Sequence, residues 1–546
     1  IASKRLALEA GVSTIPGYTD VIADAAPAVK IARDVGYPVM IKASAGGGGK
    51  GLRVAHDDKE AREGFAACQA EAAASFGDDR VFIEKFIEEP RHIEIQVLGD
   101  AHGSIVYLWE RECSIQRRHQ KVIEEAPSPF LDEATRRAMG EQAVALARAV
   151  NYQSAGTVEF VVGSDRSFYF LEMNTRLQVE HPVTEMITGL DLVEWMIRVA
   201  AGEKLGFSQS DIRRNGWAIE CRINAEDPIR GFLPSIGRLV RYRPPEEIVG
   251  EVRVDTGVYE GGEIPMHYDS MIAKLIVHAP TRDAAADRMS EALNAFVIRG
   301  IASNLVFQSA LVRHPRFREG RLTTAFIAEE YPNGFRAEDV PADNPAFLAA
   351  LAAAVHRNYR ERAAGIEGQV KGHELRIDGG YVVVASDVDY AVHVDRAPGG
   401  YDVRVGDQSF AIRYQWRFGD ILLAGTCNGA PFAVQIERRG LRYRLTHRGT
   451  QFDVQVLPRR AAELLRLMPK KSPPDRSRFL LSPMPGLLAE VAVKPGQEVK
   501  AGERLVVIEA MKMQNVIVAE RDTTVVEVLA KEGDSLAVDQ PVISFK

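Results

Sequence analysis

The segment "FLEMNTRLQVEHP" carries polar side chains at every second position, and their types suit chemistry on phosphate groups. Residues two apart share one face of an extended chain, so two carboxylates, an amide and a guanidinium are predicted to project together. Glu159, in "GTVEFVV", is expected on a neighbouring strand. Carboxylate and amide oxygens are hard ligands that suit a Mg²⁺ ion bridging phosphate oxygens. The candidate metal ligands are therefore Glu159, Glu172 and Asn174.

The same alternation continues through Arg176 and Gln178 to Glu180. At ~3.3 Å per strand residue, Glu180 would lie on the order of 26 Å from Glu172 in an unbroken strand. A bend is therefore required if both carboxylates serve one site. A half-exposed strand with alternating polar residues is the commoner cause of such a pattern. The mixture of acid, amide and base, without Lys or Thr, favours a functional site here.

A glycine-rich stretch, "IKASAGGGGKGLRV", follows a predicted strand. Its glycines expose backbone N–H groups to an anion and permit close approach. It is not a Walker A loop, because Lys50 is followed by glycine and Ser44 stands where that motif needs glycine. It does not open a helix either, since "LRVA" continues as strand. We predict a phosphate-covering hairpin with Lys42 supplying charge; a loop without a ligand is the alternative.

Basic residues are dense in "ERECSIQRRHQKVIEEAP", which suits several anions in one cleft, although a solvated basic strand is the default interpretation. "ECRINAEDP" adds Arg222, whose neighbour Glu220 is equally well explained as a salt-bridge partner. His92, in "EEPRHIEIQ", would more often be a structural histidine. None of these motifs decides the function singly.

Near the C-terminus, "VVIEAMKMQNVIV" places Lys512 between Met511 and Met513 where two strand patterns meet. The surrounding sequence is repeated: "LAEVAVKPGQEVKAGERLVVIE" aligns with "VVEVLAKEGDSLAVDQPVISFK". Two similar halves of short strands predict a small all-β unit with pseudo-twofold symmetry. Lys512 falls in the turn that joins the halves.

Length and composition set wider limits. The chain has 546 residues and a net charge of -7, which predict several domains and argue against general nucleic-acid affinity. Its four cysteines are scattered, as is typical of thiols in a reducing compartment. No apolar run approaches the ~18 residues that a membrane span needs, so a soluble intracellular protein is expected. The sequence opens at Ile1 inside a helical pattern, and we expect it to be cut on that side.

Three kinds of pattern follow one another along the chain. Residues 1 to about 335 mix helix and strand signals, and a helix is predicted at about 344–364. Short alternating strands with Gly and Asp turns come next, which is typical of an antiparallel barrel or sandwich. The segment "PKKSPPDRSRF" is rich in proline and charge and predicts a linker to the last, all-β unit.

Together these motifs resemble the biotin carboxylase family, whose catalytic core is an ATP-grasp fold. The stretches that carry the resemblance occur in the family's order: "KASAGGGGKG", "EKFIEEPRHIEIQV", "CSIQRRHQKVIEEAP", "FLEMNTRLQVEHPVTE", "ECRINAEDP" and "YDSMIAKLI". The tail, "SPMPG" followed by "EAMKMQN", resembles a biotinyl carrier domain, in which the lysine between the methionines receives biotin. The chain as a whole is similar to the α subunits of biotin-dependent carboxylases, most of all to propionyl-CoA carboxylase α chains.

The resemblance implies a multidomain α+β protein with an ATP-grasp biotin carboxylase core, a middle helix-plus-antiparallel β-barrel domain and an all-β biotinyl carrier domain. The family's N-terminal subdomain would precede Ile1 and is expected to be absent. The expected boundaries are 1–335 for biotin carboxylase (lid about 14–86, C-terminal subdomain about 87–335), 341–470 for a subunit-docking barrel, 471–481 for the linker and 482–546 for the carrier.

The resemblance also implies roles for individual residues. Glu180 would be the general base that deprotonates bicarbonate, and Arg222 would stabilise the enolate oxygen of biotin, which is carried on Lys512. Mg²⁺ or Mn²⁺ would be held by Glu159, Glu172 and Asn174. Bicarbonate would contact Lys121, Arg176, Gln178 and Val179. ATP would be held by Lys42, Gly48, Gly49, Glu84, Lys85, Ile87, His92, Gln116 and His119.

The implied activity is ATP- and bicarbonate-dependent carboxylation of that biotin. A separate carboxyltransferase β subunit, in an expected α6β6 assembly, would then carboxylate propionyl-CoA to methylmalonyl-CoA. Biotin protein ligase is a further expected partner, and the expected location is the bacterial cytoplasm or, in a eukaryote, the mitochondrial matrix. The alternatives are another acyl-CoA such as methylcrotonyl-CoA, an ATP-grasp ligase without biotin, and a lipoyl carrier or scaffold without catalysis.

Overall fold

The structure is a computed structural model that describes residues 2–18, 20–22, 24–44, 51–386, 388–469, 478–511 and 513–546. Three predicted site residues, Gly48, Gly49 and Lys512, lie outside these ranges, as does most of the linker predicted at 471–481. Within the described ranges, no helix is long and apolar enough to cross a membrane.

A small antiparallel sheet covered by helices forms the first segment. Its elements are α1 (Ala2–Glu9), β1 (Gly17–Tyr18), α2 (Ala25–Val35), β2 (Val39–Ala43), β3 (Leu52–Ala55), α3 (Asp58–Phe76) and β4 (Val81–Lys85). The strand order is β1-β4-β2-β3. Alternate residues of β2 are buried against α3, which begins where the Asp57 side chain accepts from the Glu60 N–H and ends at Gly77 in the left-handed conformation. We call this four-stranded unit the lid sheet.

A large antiparallel sheet with flanking helices follows. Its eight strands run in the order β15-β17-β10-β7-β6-β5-β8-β9. The elements of this segment are β5 (Arg91–Gly99), β6 (Ile105–Arg117), β7 (Gln120–Ala126), α4 (Glu133–Ala149), β8 (Ser154–Val162), β9 (Phe168–Asn174), α5 (His181–Thr188), α6 (Leu192–Ala200), β10 (Trp217–Asn224), β11 (Glu226–Asp227), β12 (Leu233–Pro234), β13 (Gly237–Arg238), β14 (Arg241–Arg243), β15 (Val252–Thr256), β16 (Glu263–Ile264), β17 (Met271–Ala279), α7 (Arg282–Ala295), β18 (Val297–Arg299), α8 (Leu305–Arg313), α9 (Pro315–Arg318) and α10 (Phe326–Glu330).

The central sheet positions the candidate site because its strands are buried on both faces. Most residues of β5 and β6 are buried, and α4 packs across both strands. At the other end of the sheet, α7 packs on β17 over an aromatic-rich core. Polar side chains that sit in these buried strands therefore need partners inside the protein.

The middle segment is a closed eight-stranded barrel, β19 to β26 in sequence order. Its elements are α11 (Pro345–Ala364), β19 (Gly380–Ala385), β20 (Val388–Ala397), β21 (Gly400–Val405), β22 (Gln408–Tyr414), β23 (Leu422–Cys427), β24 (Ala430–Arg439), β25 (Arg442–His447), β26 (Thr450–Leu457) and α12 (Arg459–Leu465). The helix predicted at about 344–364 is α11, and it lies within the barrel. Ten consecutive residues, 346–355, are buried, and six of them are alanine. Small side chains make the helix narrow enough to be surrounded by strands.

The last segment is all-β, as the repeat predicts. Its strands are β27 (Phe479–Leu481), β28 (Gly486–Val491), β29 (Glu498–Val499), β30 (Arg504–Ala510), β31 (Met513–Val518), β32 (Thr523–Val528), β33 (Ser535–Leu536) and β34 (Pro541–Phe545). Two four-stranded sheets form, β27-β34-β32-β29 and β31-β30-β28-β33. The repeat-related strands β28 and β32 lie in different sheets, and the matched glycines Gly496 and Gly533 both have positive φ, 85° and 90°. We call this unit the carrier domain.

Candidate active site

A cavity of about 780 Å³ lies between the lid sheet and the end of the central sheet. Strands β2, β7, β8, β9, β10 and β17 contribute to its wall, together with the chain that follows β9. Residues far apart in sequence therefore meet in one concave space. It is lined by most of the predicted site residues: Lys42, His92, Gln116, His119, Lys121, Glu159, Glu172, Asn174, Arg176, Gln178, Val179, Glu180 and Arg222.

The predicted residues Glu84, Lys85 and Ile87 do not line this cavity. Glu84 is buried on the lid sheet, where its carboxylate pairs with Lys42 and, at 3.1 Å, with Lys4. The Lys85 ammonium donates to two backbone carbonyls at 2.8 and 3.0 Å. Ile87 is half-buried at the end of the lid. Their ATP contacts remain predictions, and the Lys42–Glu84 ion pair connects the cavity wall to the lid sheet.

The three predicted metal ligands converge because β8 and β9 pair antiparallel. Glu159 lies opposite Glu172, and Asn174 lies opposite Thr157, one pair further along the same face. The Asn174 amide nitrogen is 3.1 Å from a Glu159 oxygen and 3.4 Å from a Glu172 oxygen. Rotating this amide would direct its oxygen to the same place. Two carboxylates and an amide oxygen facing a cavity fit a Mg²⁺ site.

Beyond Asn174, the prediction of one continuous extended face is wrong. The strand ends at Asn174, and Glu180 is the residue that directly precedes helix α5. A turn after Asn174 therefore brings the later residues back toward β8. They do not reach it by lying on one face of a continuous strand. The buried Gln178 amide donates to a Glu159 oxygen at 2.7 Å, whereas Arg176 stays exposed with its guanidinium 3.4 Å from the Asn174 oxygen.

Lys121 connects three carboxylates at the base of the cavity. Its ammonium nitrogen is 2.5 Å from a Glu94 oxygen, 2.5 Å from a Glu180 oxygen and 3.1 Å from a Glu159 oxygen. Burial disfavours the charged ammonium, but the surrounding carboxylates, Glu94 first, outweigh burial and hold the pKa of Lys121 well above its usual value. The lysine is therefore a fixed cation where an anionic reactant would enter.

A fully buried arginine supports this cluster from behind. The Arg111 guanidinium lies 2.5 Å from a Glu94 oxygen, 2.6 Å from the Gln96 side-chain oxygen and 3.0 Å from the Gln178 side-chain oxygen. It thereby orients Gln178, which lines the cavity, and Glu94, which binds Lys121 from behind. Glu94 and the supporting role of Arg111 were missed by sequence reasoning. Glu94 sits on β5 and Arg111 directly opposite on β6, so only the strand register would have revealed the pair.

Arg222 completes the surroundings of Glu180. Its Nη2 atom is 2.9 Å from one Glu180 oxygen, while Lys121 binds the other, so the buried carboxylate lies between two cations. The Arg222 Nε atom is 2.6 Å from a Glu124 oxygen. A guanidinium held at two points in this way keeps a fixed orientation at the cavity wall.

His92 lies close to two carboxylates that favour its protonated form. Its Nε2 atom is 3.2 Å from a Glu159 oxygen and 3.8 Å from a Glu94 oxygen. Burial acts against the imidazolium, but the two carboxylates outweigh it and raise the pKa of His92 to about 9. The ring is thus a cation beside the predicted metal ligands near neutral pH.

Two buried glutamates lie directly opposite each other behind Arg222. Glu220 on β10 is the register partner of Glu124 on β7. Burial raises the pKa of Glu124 to about 7 despite Arg222, and burial together with the facing Glu124 raises the pKa of Glu220 well above its usual value. Both Glu220 oxygens are buried without a hydrogen-bond partner. The salt bridge considered for Glu220 is thus not formed, and burial favours the protonated form of the side chain.

We expect the Glu220→Gln substitution to change the free energy of unfolding more favourably at pH 8 than at pH 5. The change is measured at each pH against the unchanged protein. The folded state retains a proton on Glu220 that the unfolded chain releases above pH 4.5, so stability is lost as pH rises toward the folded pKa. Glutamine is neutral in both states and removes this loss, at most about 1.4 kcal/mol per pH unit. Melting temperatures at both pH values check the prediction. The exposed Glu246→Gln substitution is the control. An equal change in melting temperature between the two pH values in both variants would contradict the prediction.

The carrier domain rests on the rim of this cavity. The Met511 N–H donates to the Met266 carbonyl at 2.7 Å, and the Met511 side chain is buried in the core beneath β10 and β17. Met266 belongs to a loop, residues 265–270, that we call the docking loop. Asp269 of the same loop lines the cavity. Leu233 adds a second contact by packing against the carrier core.

Family models match four successive parts of the chain. They are described as "Carbamoyl-phosphate synthase L chain, ATP binding domain" over residues 1–208 and "Biotin carboxylase C-terminal domain" over 220–329. "Propionyl-coenzyme A carboxylase BT domain" follows over 348–471, and "Biotin-requiring enzyme" over 480–545. The order agrees with the expected sequence of core, barrel and carrier.

Curated relatives cover almost the whole chain. The propionyl-CoA carboxylase alpha chain of Ruegeria pomeroyi is 56% identical over an alignment of 565 residues that covers 100% of this chain and 83% of the relative. The chain belongs to the propionyl-CoA carboxylase alpha chain family. The human mitochondrial member is 50% identical over 542 residues, 98% of this chain and 74% of its own length. Membership of this family confirms the recognised resemblance, and it makes the chain a ligase of the biotin carboxylase type.

A solved structure supports the ATP-grasp assignment for the catalytic part of this family member. The biotin carboxylase domain of Hydrogenobacter thermophilus 2-oxoglutarate carboxylase, in complex with MgADP, ADP and bicarbonate, is 48% identical with a TM-score of 0.57. The match covers 60% of this chain and 72% of that chain. The expected fold class is confirmed, including the closed middle barrel.

Proposed function

We propose that the chain carboxylates biotin attached to its own Lys512, using ATP and bicarbonate. One observation carries this proposal. The backbone of Met511 rests on the docking loop, and that loop borders the cavity in which Glu180 lies between Lys121 and Arg222. A cofactor on the next residue would therefore be delivered to this cavity.

Within the cavity, Glu180 is proposed as the general base. Bicarbonate bound against Lys121, Arg176, Gln178 and the Val179 backbone would give its proton to a Glu180 oxygen. The Lys121 ammonium is within 3.1 Å of three carboxylates, so it is already fixed before an anion arrives. A preorganised cation in a buried site stabilises developing negative charge more strongly than one in water.

Arg222 is proposed to face the ureido oxygen of biotin. A guanidinium stays protonated throughout, so it can stabilise an enolate oxygen without exchanging a proton. Its second contact, with the buried Glu124, holds the group in place while Glu180 changes its protonation state.

The nucleotide would occupy the side of the cavity next to the lid sheet. ATP supplies the phosphoryl group that activates bicarbonate, and Glu159, Glu172 and Asn174 would hold the accompanying Mg²⁺ or Mn²⁺. Lys42 and the cationic His92 would neutralise phosphate charge there. The other proposed ATP contacts are Gly48, Gly49, Glu84, Lys85, Ile87, Gln116 and His119.

The acyl acceptor is proposed to be propionyl-CoA, carboxylated to methylmalonyl-CoA on a separate carboxyltransferase β subunit. Support comes from the propionyl-CoA carboxylase names of the relatives and of the family model over 348–471. An α6β6 assembly, biotinylation by biotin protein ligase, and a location in the bacterial cytoplasm or mitochondrial matrix complete the proposal.

A reconstituted assay tests the proposal as a whole. The biotinylated full-length protein and its carboxyltransferase partner are incubated with ATP, bicarbonate and either propionyl-CoA or methylcrotonyl-CoA, and ADP release is measured. We expect bicarbonate-dependent turnover that is greater with propionyl-CoA. Turnover that prefers methylcrotonyl-CoA would overturn the acyl assignment, and ADP release independent of bicarbonate would overturn the biotin carboxylase assignment.

The barrel segment is proposed to hold the β subunit. Deleting residues 341–470 is expected to abolish co-purification with the carboxyltransferase subunit, because no described barrel residue lines the active-site cavity or belongs to a group that could hold a metal ion. Deleting the carrier domain, residues 478–546, is the matched control and should leave co-purification intact. Affinity pull-down checks both variants; assembly retained after loss of the barrel would contradict the docking role.

A further inference from the structure

A second cavity, of about 800 Å³, lies at the end of the barrel where the buried stretch of α11 ends at Val355. Strands β19, β20, β21, β24, β25 and β26 contribute to its wall, as do α11 and the start of α12. Its volume falls in the range of small-molecule sites, roughly 300–1,000 Å³. None of the residues assigned to the active site lines it.

The wall of this barrel cavity is strongly cationic. Its single acidic residue, Asp378, accepts a hydrogen bond from the Gly380 N–H at 3.1 Å. The nearest carboxylate to Arg404 is Asp395, at 3.8 Å. In the described part of the chain, no carboxylate lies within 4.0 Å of any of the other arginines. The arginines that line the cavity are Arg360, Arg376, Arg404, Arg438 and Arg459.

Other arginines of the barrel do have carboxylate partners. Elsewhere on the same barrel, Arg444 pairs with Asp453 at 2.6 Å and Arg413 pairs with Asp402 at 2.6 Å. Like charges gathered in a concave wall create a positive potential that attracts anions. His356 lies in the same wall. Burial and, next, the charges of nearby arginines lower its pKa to about 4.

The remainder of the wall is aromatic and apolar. The His356 ring meets Tyr381 edge to face, with ring centroids 5.4 Å apart, and Tyr443 similarly at 5.9 Å. Val392 and Val456 add buried aliphatic surface. The cavity therefore offers guanidinium groups and an apolar surface side by side.

We propose that this cavity binds a small molecule that carries phosphate groups together with an aromatic or aliphatic portion. Arginine forks match the geometry of phosphate oxygens and bind them with paired, charge-assisted hydrogen bonds. The apolar wall accepts the uncharged part of the same ligand. An acidic peptide segment fits less well, because the cationic groups line one concave cavity instead of an extended groove.

Calorimetric titration of the biotinylated full-length protein tests this proposal with two probes, pyrophosphate and coenzyme A. No nucleotide is added, because ADP itself joins phosphate groups to an aromatic portion; the cavity variants separate binding at the barrel from binding at the active site. Both probes are expected to bind, coenzyme A more tightly because it also covers the apolar wall. The double variant R360Q/R376Q is expected to weaken binding by about tenfold or more, because two charged forks that bind phosphate oxygens are lost.

Two further variants make the test specific. Arg442→Gln removes an exposed barrel arginine that does not line the cavity and is expected to bind both probes unchanged. R360K/R376K keeps the charge but not the fork and is expected to give an intermediate loss. The proposal is overturned if neither probe binds at about 1 mM, if R360Q/R376Q binds both probes as tightly as the unchanged protein, or if R442Q weakens binding as much as the double variant. Melting temperatures and β-subunit co-purification verify that each variant is folded.

Discussion

Replacing Lys512 by arginine is expected to abolish biotin incorporation and, with it, every turnover that depends on the carried cofactor. Attachment as an amide requires a primary amine, which arginine lacks, although arginine keeps the positive charge and a similar length. The flanking strands β30 and β31 pair with each other through six register positions, so the strands on either side of Lys512 are held together by backbone bonds. The substitution therefore tests the chemistry of one nitrogen and not the fold of the carrier domain.

Lys531→Arg is the matched control for this experiment. Lys531 is an exposed lysine in the second half of the carrier repeat, and the same substitution there should leave biotin incorporation unchanged. Avidin blotting and intact mass, on protein made beside a competent biotin ligase, measure the outcome and separate a biotinyl from a lipoyl addition. If the Lys512→Arg variant still reacted with avidin, biotin would be attached elsewhere. The proposed delivery of the cofactor to the cavity from Lys512 would then be contradicted.

The sequence predicts what depends on short-range pattern. Alternation and glycine spacing predict the strands of the barrel and the carrier, and they predict β3 as the strand that follows the glycine-rich stretch. The convergence of Glu159 with Glu172 and Asn174 is likewise predictable, because β8 and β9 are close in sequence and pair antiparallel. Local periodicity is sufficient where the partner strand is adjacent in the chain.

Features that depend on long-range packing were not predictable in the same way. Glu94 is one of several polar residues in β5, and only the sheet shows that it lies against Arg111 and Lys121. The alternation from Glu172 to Glu180 predicts a shared face, but the strand ends at Asn174 and a turn produces the convergence. Single-sequence periodicity does not report where a strand stops, and element ends are its least reliable feature.

The position of α11 illustrates the same limit. Its ten consecutive buried residues show no polar face, which predicts burial on all sides. That pattern does not say what surrounds the helix. Contacts with β19, β20, β21, β22, β25 and β26 supply the answer, because they come from most of the way around the barrel. The barrel cavity lies where this burial ends, so it could not be inferred before the barrel was known to be closed around the helix.

Replacing Glu180 by glutamine is expected to lower bicarbonate-dependent ADP release by ~10²- to 10⁴-fold, the usual contribution of a general base. Glutamine has nearly the same shape, but it cannot accept a proton from bicarbonate. It also replaces one carboxylate oxygen by an NH₂ group that faces a cation, since Lys121 binds Oε1 and Arg222 binds Oε2. Both the chemistry and the positions of the two cations depend on this carboxylate.

Glu185→Gln distinguishes that loss from a general effect of disturbing α5. Glu185 is a half-buried glutamate on α5 that pairs with Arg253 at 2.6 Å and does not line the cavity. Its substitution should cost stability without a comparable loss of turnover. ATP binding, measured by calorimetry, should persist in Glu180→Gln, because the proposed phosphate and metal contacts are unchanged. If Glu180→Gln instead retained more than about a tenth of the turnover, less than 1.4 kcal/mol of barrier would rest on this carboxylate, and another group would have to be the base.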